Sequence, residues 1–117
     1  MLENISFLTY GDDAYKNSKI ILRNEAIKFG FKNFIATSPD DLSIEFRQKH
    51  FNFFKNNKRG AGYWLWKPFI VNEHLKNIKK NDFLLYADAG CSVNLNGKNR
   101  FLNGWKCVTN TMFFHFK

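Results

Sequence analysis

The run Phe83-Leu84-Leu85-Tyr86-Ala87, closed by Asp88-Ala89-Gly90, limits this chain more than any other stretch. It is continuously apolar, with no polar residue at alternate positions. A strand of that kind is buried on both faces, as strands are in a parallel sheet. Parallel neighbours need crossover connections, so the run implies an α/β fold with helices covering the sheet. It also puts Asp88 at the carboxyl end of a central strand, where open α/β sheets bind their ligands.

The rest of the chain alternates in the same rhythm. Ile5–Tyr10 is apolar enough for a first strand, and Gly11-Asp12-Asp13 ends it. Asp13 is placed to cap a helix over Ala14–Phe29, with Leu22, Ala26 and Phe29 on one face and Gly30 as its stop. Phe31–Thr37 reads as a second strand, with Phe34–Thr37 as its core. Ser38-Pro39-Asp40-Asp41 has the pattern of a helix start, and Leu42, Phe46, Lys49 and Phe53 mark one helix with a basic polar face. Pro68 suits a first helical position, followed at helical spacing by Ile70, Val71, His74, Leu75 and Ile78. Lys79-Lys80-Asn81-Asp82 breaks that pattern before the apolar run. The expectation is one Rossmann-like α/β domain over residues 1–117, a mostly parallel sheet flanked by helices. Residues 101–117 form a poorly specified tail: the aromatic end, Phe113-Phe114-His115-Phe116-Lys117, either packs back onto the sheet or belongs to a longer chain.

Composition narrows the function classes. A domain of 117 residues buries roughly two-thirds of its unfolded surface, and 14 Phe and 3 Trp supply ample core material. The net charge of +8 fits either an anionic partner or lysines spread over a solvated surface. Cys91 and Cys107 form no CxxC pair, which favours reduced thiols and a cytoplasmic protein. No secretory leader is visible, and no run approaches the roughly 18 apolar residues of a membrane span. His50, His74 and His115 are too scattered for a zinc cluster, and His74 reads as a partly buried structural residue. Gly60 and Gly62 lack the later glycine and the Lys-Ser/Thr of a phosphate loop.

The loop Arg59-Gly60-Ala61-Gly62-Tyr63-Trp64-Leu65-Trp66-Lys67-Pro68 carries the most specific pattern. Together with Leu8-Thr9-Tyr10-Gly11-Asp12 and Leu85-Tyr86-Ala87-Asp88-Ala89-Gly90-Cys91, it resembles the amino-terminal half of GT-A-fold, nucleotide-sugar-dependent glycosyltransferases. The likeness is to poorly characterised bacterial and viral members with a GxGYWxWKP loop before a YxDAG strand end, and it runs to about Arg100. The resemblance implies a nucleotide-diphosphate sugar as donor and a glycan or other hydroxyl as acceptor. It implies that Thr9 and Tyr10 flank the nucleotide, and that Asp88 ligates a divalent metal, manganese or magnesium, bridging the diphosphate. Arg59 and Lys67 then bring positive charge to the phosphates. Tyr63, Trp64 and Trp66 stack on a base or sugar, and Gly90 lets substrate approach the backbone.

The pattern departs from the family in two places. The family's usual Asp-x-Asp is Asp88-Ala89-Gly90 here, leaving one carboxylate. No Asp or Glu follows Asp88, so no general base is identified, and the resemblance implies a truncated enzyme lacking its acceptor half. Two other readings compete. A basic, aromatic-rich surface also suits single-stranded nucleic acid, although a carboxylate at the strand end repels a phosphate backbone. On purely structural grounds Asp88 caps a turn, Trp64 and Trp66 alternate between core and cleft, and Lys67 is a surface residue.

Overall fold

The structure is a computed structural model that describes residues 2–57, 65–105 and 113–116. Its strands are β1 (Ile5–Tyr10), β2 (Asn33–Thr37), β3 (Phe83–Ala87) and β4 (Phe113–Phe116). The helices are α1 (Lys16–Phe29), α2 (Ile44–Lys49), α3 (Phe51–Asn56), α4 (Trp66–Leu75) and α5 (Lys98–Trp105). The strands form one sheet in the order β2-β1-β3-β4, and every pairing is parallel. Phe7 sits between Phe34 of β2 and Leu85 of β3, and Leu85 in turn pairs with Phe114 of β4. The chain leaves β1 for β2 on one side and returns to β3 on the other. The carboxyl ends of β1 and β3 therefore flank the point where strand order reverses, the usual ligand crevice of such sheets.

Side chains alternate across the sheet and divide the core in two. Ile5, Phe7, Leu85 and Ala87 pack beneath α1 with Leu22, Ala26, Phe29 and Phe31, and Phe101 of α5 joins them. Leu8, Tyr10, Leu84 and Tyr86 face the other way, against Trp66 and Ile70 of α4 and against Leu42. Each fully buried Leu, Ile or Phe contributes about 1.5–3 kcal/mol of transfer free energy, so both layers hold the sheet from opposite sides. β3 is buried at Leu84, Leu85, Tyr86 and Ala87, as its unbroken apolar run requires.

Several sequence expectations shift once the chain is folded. Asp12, rather than Asp13, is the cap: its Oδ1 accepts the Ala14 N–H at 3.1 Å. A 3-10 turn over Asp13–Tyr15 then precedes α1. Gly30 ends that helix at φ +120°, where a side chain is strained. β2 starts at Asn33 instead of Phe31, because the Phe31 N–H still bonds Ala26 O at 3.1 Å and belongs to the helix end. The single helix expected through Leu42, Phe46, Lys49 and Phe53 is broken. Ser38 and Asp41 do form a capping box, but over a short 3-10 turn, and Leu42 follows in extended backbone. Ser43 starts afresh by accepting the Phe46 N–H at 3.1 Å, and His50 separates α2 from α3.

α4 begins at Trp66, two residues before Pro68, and Ile78 lies beyond its end. Proline in a first turn gives up an N–H that has no helical partner in any case. At the tail, α5 and β4 form where no clean period was readable, and β4 pairs with β3. The described part of the aromatic end thus joins the sheet through backbone pairing. No described helix is long and apolar enough to cross a membrane.

Candidate functional site

The ends of β1 and β3 meet at the crevice through small residues. A Cβ on Gly11 would lie 2.7 Å from Tyr15 Cβ and 3.1 Å from Ala89 Cβ, so only glycine lets these two loops close. The Gly11 N–H donates to Thr37 O at 3.1 Å, tying the end of β1 to that of β2. Lys19 on α1 locks the same corner, its Nζ donating to Gly11 O at 2.8 Å and to Thr37 O at 3.3 Å.

On the α4 side, Lys67 Nζ lies 3.2 Å from Asp88 Oδ1, with the side chains 23% and 34% exposed. The pair is thus reachable from solvent but partly walled in. Aromatic rings form the wall: the ammonium lies 5.4 Å from the Tyr86 ring centroid and 5.9 Å from that of Trp66. Trp66 stacks on Tyr10 at 3.8 Å between centroids, which braces the first turn of α4 against the end of β1. Because α4 runs back toward the start of β3, its amino terminus lies at the carboxyl edge of the sheet, an end that favours negative charge.

Burial and the neighbouring carboxylates leave their mark on the ionisable groups. Burial first, then the Asp88 charge, pushes the Tyr86 phenol well above its ordinary value. Tyr10 is raised mainly by burial, with help from Asp12 and Asp41. The Cys91 thiol is also raised, by burial and by Asp88, so it stays protonated near neutral pH. The Cys91 N–H donates to Asp88 O at 2.9 Å and closes the turn after β3.

The residues singled out in the sequence separate into groups. Tyr10, Trp66, Lys67 and Asp88 come together on one face. Thr9 points to the opposite face of β1; it is fully buried, and its hydroxyl has no hydrogen-bond partner among the described residues. Gly90 is exposed, with open space around it. Arg59, Tyr63 and Trp64 lie outside the described residues. Trp66 is 4% exposed, which makes its Tyr10 contact a core contact as well as a crevice wall.

Sequence reading missed Lys19 and Glu25. The Glu25 carboxylate accepts Ser92 Oγ at 2.9 Å and the Val93 N–H at 3.2 Å, holding the segment after Gly90 to α1. Neither residue stands in a motif; their partners are backbone atoms and a serine distant along the chain, which no local pattern reveals.

As a metal ligand, Asp88 offers one hard carboxylate. Among the described residues no group of three or more His, Cys, Asp or Glu side chains is gathered to hold an ion. A single carboxylate fits magnesium or manganese when substrate phosphates and water complete the coordination, and fits poorly a cation that needs an all-protein cage. No protein-family model, no curated protein and no solved structure matches this chain.

Proposed function

We propose that this domain binds a nucleotide-diphosphate sugar at the β1/β3 crevice and serves as the donor-binding part of a GT-A-like glycosyltransferase, with a glycan or other hydroxyl as acceptor. The observation that carries the reading is the Lys67–Asp88 pair, set beside the Tyr10–Trp66 stack at the carboxyl edge of a parallel sheet. Such a crevice offers a cation, a carboxylate and an apolar wall within one small volume. A diphosphate, a divalent ion and a base or sugar ring need those three features.

Asp88 is the residue that would hold magnesium or manganese, and the ion would neutralise charge growing on the departing diphosphate. Lys67 has a separate task. Its ammonium balances the Asp88 carboxylate and can turn to phosphate oxygens when a donor sugar enters. Gly90 leaves the backbone open for close approach, and Tyr10 and Trp66 keep the wall rigid. The raised pKa of Tyr86 keeps its phenol neutral behind the pair, so it adds no charge to repel the diphosphate. The reading places the protein in the cytoplasm, with Cys91 reduced.

Calorimetry with a panel of nucleotide-diphosphate sugars, with and without manganese, tests this on wild type and Asp88→Asn. Binding that needs both the ion and the carboxylate supports the reading. Metal-independent binding of equal strength in Asp88→Asn removes Asp88 from the site. Preference for single-stranded nucleic acid with a steep salt dependence replaces the reading altogether.

A further inference from the structure

β2 forms one margin of the sheet and pairs with β1 on its inner side. The Thr37 carbonyl accepts the Gly11 N–H at 3.1 Å, so the backbone groups of Thr37 point inward, toward β1. Backbone groups alternate along a strand. Those of Asn33 and Ile35 therefore also point inward, and those of Phe34 and Ala36 point outward. Among the described residues, no backbone hydrogen bond outside the β1–β2 ladder reaches Phe34 or Ala36. Ala36 is exposed, and neither proline nor a charged residue lies within Asn33–Thr37 to blunt the edge. Such an edge is a template for another strand.

The outward groups are spaced for a copy of themselves. A two-fold axis through Ile35 sets Phe34 of one antiparallel β2 opposite Ala36 of the other, and Ala36 opposite Phe34. Both members of each pair point outward, so each pair exchanges two N–H···O bonds. Ile35 and its copy then meet between them as the closer, non-hydrogen-bonded pair. Ile35 belongs to the apolar layer on the α4 face, and Phe34 stacks on Phe7 at 5.2 Å on the α1 face. Joining the edges extends both layers across the seam. Charge selects the same orientation: Lys32 precedes the strand and Asp40 follows it, both exposed. Asp40 takes no part in the capping box, which uses Asp41. Antiparallel copies set Lys32 of each beside the Ser38–Asp40 turn of the other, whereas parallel copies set lysine beside lysine. Exposed pairs of this kind add little affinity and act mainly on orientation.

We propose that the β2 edge is a homodimer interface, at which two copies of this chain pair β2 antiparallel about Ile35 into one continuous sheet. The joined sheet is parallel within each copy and antiparallel only at the seam, as mixed sheets often are at an edge strand. The interface does not depend on the nucleotide-sugar reading, because it uses none of the residues of the Lys67–Asp88 crevice.

Sedimentation and amide exchange on the whole chain, from micromolar to millimolar concentration, test this. The dimer fraction should rise with concentration, and the Phe34 and Ala36 amides should slow at least tenfold as it does. Ala36→Pro removes only an outward N–H, a change that strand edges tolerate. That variant should stay folded and remain monomeric throughout. Should it fail to fold, Lys32→Glu is expected to weaken the dimer at least twofold, and Lys32→Glu with Asp40→Lys to restore it. A monomer at millimolar concentration overturns the proposal, as does a dimer that folded Ala36→Pro leaves intact. So does a double swap that dimerises no better than Lys32→Glu alone. Protection of Phe34 and Ala36 that is independent of concentration also overturns it, because another segment of the same chain then covers the edge.

Discussion

Lys67, in the first turn of α4, and Asp88, just past the end of β3, meet at 3.2 Å across the carboxyl edge of the sheet. Twenty residues separate them in sequence, and the helix and strand between them run in opposite directions to bring them back together. A cation in a first helical turn is opposed by the helix dipole, so Lys67 stands there against a local preference. The Asp88 carboxylate and the rings of Trp66 and Tyr86 offset that cost.

Because both partners remain partly exposed, the pair itself should matter little to folding. Lys67→Ala is expected to change unfolding free energy by no more than about 1 kcal/mol, the usual range for solvated ion pairs. Its affinity for the donor sugar should fall at least tenfold, or roughly 1.4 kcal/mol. Denaturant titration and calorimetry on the same preparation separate the two effects. A variant that binds as well as wild type returns Lys67 to an ordinary surface role.

Trp66 should behave in the opposite way. It is buried, stacked on Tyr10, and packed beside Tyr86 in the layer under α4. Trp66→Ala should cost about 3–5 kcal/mol, as large aromatic truncations in cores do, while Trp66→Phe should cost distinctly less. Urea unfolding measures both. A loss under 1 kcal/mol for the alanine variant would mean that the stack does not hold α4 to the sheet.

Alkaline pH provides a third check. Tyr86 has its pKa raised in the folded state above the ordinary value of about 10, chiefly by burial and then by Asp88. The unfolded chain therefore gives up the phenolic proton first, and the folded state holds more protons above that pH. Stability from this group is complete below about pH 10 and is lost as pH rises past it, at up to roughly 1.4 kcal/mol per pH unit. Tyr86→Phe should flatten the decline between wild type and variant curves over pH 9–11. Parallel curves would show that the phenol ionises as easily folded as unfolded.

The strands were legible because burial writes itself plainly there. Ile5–Tyr10 and Phe83–Ala87 have the bounds their apolar runs suggest, and β3 is central as its two-sided burial requires. Helix starts were less legible because several capping residues stand in a row. Asp12 and Asp13 compete at one end of α1, and Ser38 and Ser43 each begin a turn before α2. β4 was hidden for another reason: Phe113-Phe114-His115-Phe116 is a strand by its pairing to β3, and pairing leaves no local period. In the crevice, Tyr10, Trp66, Lys67 and Asp88 were found through motif, whereas Lys19 acts through backbone carbonyls that no motif encodes.

Glu25 provides the final prediction, because it joins α1 to the segment that follows the candidate site. One carboxylate accepts both Ser92 Oγ and the Val93 N–H, a charged acceptor serving two donors 67 and 68 residues away. Hydrogen bonds to charged groups contribute about 1.5–3 kcal/mol when enclosed and less when exposed, and this one lies near the surface. Glu25→Ala should therefore lower global stability by only about 1 kcal/mol, yet free the segment locally. The Val93 amide should exchange with solvent at least tenfold faster, while the Leu85 amide, inside β3, keeps its wild-type rate. Glu25→Gln should restore much of the protection, since its carbonyl oxygen still accepts the Val93 N–H. Unchanged exchange at Val93 in the alanine variant would show that the segment is held by its own turn rather than by α1.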